Sequence, residues 1–141
     1  MSYEPKAITA SRTLTPSDAG AVLVVNAAAG LTLTLPAAAG TGMEFEIVIG
    51  TTVTSNSVVI AVANGSDTMT GSARVAQDAG DTAVAFEAGS TADTITLNGT
   101  TTGGIKGDRI MLADIADNLW SVHIVSSATG TEATPFSAAV S

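Results

Sequence analysis

Leu31, Leu33 and Leu35 alternate with Thr32 and Thr34, and Met43, Phe45, Ile47 and Ile49 alternate with Glu44, Glu46 and Val48. A period of two sends successive side chains to opposite faces of a strand, so each run describes a sheet with one face packed. Shorter alternating stretches predict further strands at 21–26, 58–63, 68–75, 82–88, 94–97, 110–112 and 119–125. The connections have turn chemistry. Pro16-Ser17-Asp18-Ala19-Gly20 combines a preset φ, an aspartate able to bond its own backbone and a glycine tolerant of positive φ. Residues 27–30, ending in Gly30, predict a hairpin between 21–26 and 31–35, and Pro36 closes the second strand. The polar loop 50–57 predicts a second hairpin between 43–49 and 58–63. Residues 77–81 join the next two strands, and 116–118 turn the last pair.

Many short strands at this spacing indicate an all-β chain. The expected architecture is a single-domain antiparallel β-sandwich or β-barrel, jelly-roll-like, over residues 13–128. An extended N-terminal arm (1–12), which holds Pro5 and lacks periodicity, and a C-terminal tail (129–141) flank it. Only 108–116 has any tendency to turn helically. Trp120, Phe45 and Phe86 are the expected large core residues. In the last strand Trp120, Val122 and Ile124 share the inward face, and Ser121 and His123 the outward one.

Charge changes the picture. At 141 residues the chain fits one domain, yet only 13% of it is charged, about half the share usual in soluble domains. Interface centres are depleted of charge, so much of this exterior is expected to be covered by partners. A formal net charge of −8 has the wrong sign for a phosphate backbone, and no nucleic-acid partner is expected. The longest apolar run, 19–25, falls far short of the roughly 20 residues that span a bilayer, and the first 14 residues lack a signal-peptide core. Without cysteine there are no disulfides and no thiolate metal sites, so the fold rests on burial, backbone pairing and association.

Candidate chemistry is sparse. Residues 99–107 (Gly-Thr-Thr-Thr-Gly-Gly-Ile-Lys-Gly) superficially resemble a phosphate-binding loop, but Ile105 separates glycine from Lys106 and Gly107 stands where a hydroxyl is needed. A glycine-rich connection is the better reading. Ser121 and His123 with Asp114 or Asp117 contain the residue types of a catalytic triad without a nucleophile elbow. The pairs Glu44/Glu46, Asp78/Asp81 and Asp114/Asp117 lack the alternating ligands of a calcium loop. Sugar stacking needs exposed aromatic faces. Of five aromatics, Tyr3 lies in the arm, Phe136 in the tail, and three are required inside. No enzymatic activity, cofactor or metal is expected.

Two segments carry a resemblance. Leu14-Thr15-Pro16-Ser17-Asp18-Ala19-Gly20, with Asn26-Ala27-Ala28-Ala29-Gly30-Leu31-Thr32-Leu33-Thr34-Leu35-Pro36, resembles an element of tailed-bacteriophage structural proteins, including head and tail fibres. Residues 94–108, followed by Asp114-Ile115-Ala116 and Trp120-Ser121-Val122, resemble phage capsid decoration, or cement, proteins. The resemblance implies a homotrimer on the outer surface of an icosahedral head, made in the host cytoplasm, with the major capsid protein as its partner. The arm residues Tyr3, Glu4, Pro5, Lys6 and Arg12 are then the expected capsid contacts. The alternative is a head-fibre or tail-fibre domain that binds host glycan.

Overall fold

The computed structural model describes residues 4–78 and 81–141. Its strands are β1 (Lys6–Ile8), β2 (Arg12–Thr13), β3 (Val22–Val25), β4 (Leu31–Thr34), β5 (Glu44–Ile49), β6 (Val58–Ala61), β7 (Thr68–Gln77), β8 (Ala83–Glu87), β9 (Thr94–Leu97), β10 (Arg109–Ala116), β11 (Leu119–Ala128) and β12 (Phe136–Ser137), with a 3-10 turn at Pro16–Asp18. They form a seven-stranded sheet, β1-β3-β5-β10-β11-β7-β8, and a five-stranded sheet, β12-β9-β6-β4-β2. Side chains from both sheets meet in one hydrophobic core. The chain is thus an all-β sandwich with open sheets.

The expectation of antiparallel, jelly-roll-like neighbours is corrected. The first six strands alternate between the sheets, β1, β3 and β5 in the larger and β2, β4 and β6 in the smaller. Within each sheet they stack in parallel, with Lys6 beside Leu23 beside Ile47, and Arg12 beside Leu33 beside Ile60. The two hairpins expected around 27–30 and 50–57 are therefore arches that cross the core. A hairpin and an arch look alike in a single strand pair. Both need alternation and a short permissive loop, and they differ only in whether the strands share backbone bonds or face each other through side chains. The arch loops stack directly: the Thr54 amide donates to the Ala28 carbonyl at 2.7 Å and Asn56 Nδ2 to the Ala29 carbonyl at 3.0 Å. Gly30 makes this possible, since at φ +78° a Cβ there would lie 2.3 Å from the Ser57 carbonyl oxygen.

The second half is more conventional. β7 and β8 form the expected antiparallel hairpin, as do β10 and β11, with a register shift between Asp114 and Ala116. The helical tendency expected over 108–116 is corrected, since 109–116 is strand held between β5 and β11. β11 pairs with β7 in parallel from Leu119 opposite Thr68 to Ala128 opposite Gln77. Trp120 is fully buried and meets Phe45 with ring centroids 5.9 Å apart. Phe86 is only partly buried, because β8 is a sheet edge.

The arm and tail are corrected too. Residues 6–8 and 12–13 are the outermost strands of the parallel stacks, and Ile8 is buried. β12 pairs with β9, and Phe136 is buried beneath it. Strands of two or three residues are too short to display alternation, so their sequence carried no period to read.

Candidate interaction surface

The interior contains carboxylates that strand patterning did not anticipate. Among the described residues Asp18, Asp67, Asp93, Asp108 and Asp114 are buried. A buried carboxyl requires hydrogen-bond partners, and backbone amides supply most of them here, although Asp67 Oδ1 has none among the described residues. Asp114 accepts the amides of Ala39, Gly40 and Thr41 and the Thr41 hydroxyl at 2.7 Å, fixing the loop before β5. Asp93 accepts the amides of Val140 and Ser141 and the Thr94 hydroxyl, tying the C-terminal segment to β9. Asp108 accepts from Gly104, Ile105 and Ser127. Asp67 accepts the Ala38 amide at 2.9 Å.

Asp18 accepts the Thr15 amide at 2.9 Å, Lys6 Nζ at 2.9 Å and Arg12 Nη2 at 3.0 Å on both oxygens. Burial pulls the Asp18 carboxyl upward, but the Lys6 and Thr15 hydrogen bonds and the two cationic charges outweigh it and hold it below the ordinary range. Burial likewise opposes ionisation of Asp93 and Asp114, and their donors again win. At Asp108 burial prevails over three amides and leaves the carboxyl raised. These acids fasten loops and chain ends to the strands. Proximity of Asp to Thr, Gly and Pro in turns, as in Thr15-Pro16-Ser17-Asp18, was the available signal.

The expected capsid contacts separate into two sets. Tyr3 lies outside the described residues. Glu4, Pro5 and Lys6 line a shallow surface groove of about 510 Å³ with Ser17, Ala19 and Gly20. Arg12 is held on Asp18, as is Lys6, so both cations already have an internal carboxylate. Of the suggested triad partners, Asp114 does not join Ser121 and His123: it sits opposite Trp120 on the core side, with its oxygens committed to the 39–41 loop, whereas Ser121 and His123 face outward and Asp117 lies exposed at the bridge to Ala39. The 99–107 loop closes on itself. Asn98 Oδ1 accepts the amides of Thr100 and Thr102, and Gly99 donates to the Gly103 carbonyl at 2.6 Å, so those amides are already taken.

The broadest feature is the outer face of the seven-stranded sheet. Register aligns Val24, Val48, Arg109, Val125 and Arg74 in one row. The next row holds Val22, Glu46, Met111, His123 and Ser72. Met111 and Val125 are 37% and 49% exposed, large apolar side chains left in solvent at its centre. Arg109 and Glu46 pair with each other at 2.6 Å, which removes one cation and one anion from the free charge of this face. Glu44, Glu46, Met111, Ser121 and His123 border a shallow groove of about 390 Å³ here. It is broad and open. Among the described residues no three His, Cys, Asp or Glu side chains are grouped to hold a metal ion. No family model matches the chain, and no curated protein or solved structure is significantly similar to it.

Proposed function

We propose that this chain is a structural virion protein: a trimeric decoration protein that binds the outside of an icosahedral phage head and stabilises contacts between major capsid subunits. The observation that carries the reading is the outer face of the seven-stranded sheet, with Met111 and Val125 in solvent amid few unpaired charges. Surfaces of that composition are suited to being covered. The resemblance of residues 94–108 to cement proteins supplies the kind of partner, and the use of interior carboxylates as loop fastenings agrees with a scaffold. A rigid trimer engages three sites together, which converts modest contacts into durable ones through effective concentration. The groove bordered by Glu4, Pro5 and Lys6 is the second surface assigned to the shell.

Imaging of virions made with and without the protein tests this. The expected result is threefold density on the outer shell that vanishes with the gene, together with earlier rupture of heads on heating. Heads of unchanged density and stability would overturn the proposal, and glycan-array binding without head binding would replace it with the fibre reading.

A further inference from the structure

The seven-stranded sheet ends at β8, an edge whose only protective feature is the charge of Glu87 at its end. Edges are normally blunted by brevity, proline, lysine or a bulge. β1 has three residues, follows Pro5 and begins at Lys6, while β2 and β12 have two residues each. β8 has five, Ala83-Val84-Ala85-Phe86-Glu87, with no proline or lysine.

Its hydrogen-bonding parity is determined by its two ends. The Gln77 amide donates to the Thr82 carbonyl and the Ala88 amide to the Gly71 carbonyl, each at 2.9 Å. Main-chain groups alternate sides along an antiparallel strand, so Val84 and Phe86 also direct theirs to β7. Ala83, Ala85 and Glu87 direct theirs outward, without partners among the described residues. Val84 and Phe86 lie opposite buried Val75 and Ala73 on the core side, yet both remain only partly covered.

We infer that β8 is a self-association edge, which takes the β8 of a second copy in antiparallel fashion about Ala85. This register pairs all five residues. It sets Ala85 opposite Ala85 of the second copy and Ala83 opposite Glu87, which satisfies every outward main-chain group. Val84 then faces Phe86 across the junction, an aromatic and β-branched pair that completes the cover each lacks. The two Glu87 carboxylates fall on opposite sides of the twofold axis, so like charges do not meet. The contact stands apart from the virion reading. It is twofold, and a threefold assembly would present three such edges.

The absence of cysteine makes the test clean. Ala85→Cys puts one thiol at the axis on an exposed side chain, and Thr70→Cys puts one on an exposed site elsewhere on the same sheet. With a short bis-maleimide, Ala85→Cys is expected to give covalent dimer in large excess over Thr70→Cys. Ala85→Lys, which opposes two ammonium groups, is expected to lower the dimer fraction about tenfold by light scattering. In the unmodified chain, amide exchange at Ala83, Ala85 and Glu87 should slow as concentration rises. Equal cross-linking of the two cysteine variants, or exchange at these amides independent of concentration, overturns the inference. A threefold assembly that persists in Ala85→Lys would leave the virion reading intact, whereas cross-linking at Ala85 without head binding would sink that reading alone.

Discussion

Asp114 shows how single residues shape this molecule. Its carboxylate gathers three successive amides and a hydroxyl from a loop that makes little regular pairing of its own. Asp114→Ala leaves those donors without their acceptor and is expected to cost about 3 kcal/mol, measured as a lower urea midpoint at unchanged slope. Gly71 acts through absence. At φ +137° within β7, a Cβ would come 1.9 Å from the Val122 carbonyl oxygen on β11. Gly71→Ala must therefore displace backbone, with an expected loss of about 2 kcal/mol and weakened β7–β11 pairing by amide exchange. Alternation in the sequence revealed which way Trp120, Val122 and Ile124 point. It was silent on Asp114, whose role depends on a loop about seventy residues earlier in the chain.

The elements divide by length. Strands such as β5, β7 and β11 repeat their pattern enough to be read directly, whereas β10 was legible only at 110–112 within a stretch given a helical tendency; the β7–β8 and β10–β11 pairings were legible as hairpins. β1, β2 and β12 become strands only because a longer neighbour offers an edge. The Asn26 amide donates to the Ile8 carbonyl at 2.9 Å, and Ile8 is buried, so one side chain anchors the first rung. Ile8→Ala is expected to cost about 2 kcal/mol and to speed exchange at Asn26 more than at Trp120. Phe136 does the same for the C-terminal segment. Phe136→Ala is expected to cost about 3 kcal/mol and to expose the Val140 and Ser141 amides that Asp93 now holds.

For the whole molecule the buried acids set the response to pH. Asp18, Asp93 and Asp114 have lowered folded-state values, so their contribution is present above the unfolded carboxylate value and lost as pH falls through the folded one. Asp108 works oppositely: its raised value takes up a proton in the folded state first, and stability from that site declines as pH rises through the interval above the unfolded value. Three against one, the expected profile is a steep fall below about pH 4, read as a drop in thermal midpoint. Asp114→Asn should make that fall shallower, because one of the three titrating fastenings is gone. A sparsely charged exterior and buried carboxyls that hold loops belong to one arrangement, with five of the thirteen acidic residues buried and serving internal bonds.

Period and composition by themselves determined that the chain is all-β, which faces of its longer strands turn inward, and that its exterior is unusually poor in charge. Those properties are local or additive, and each residue states them without reference to distant ones. Only the tertiary structure decided that successive strands belong to opposite sheets, that the ends of the chain are woven in, and that aspartates pin its loops. Side-chain alternation records the burial of a strand, whereas the partner that receives its backbone bonds is chosen by the packing of the whole chain.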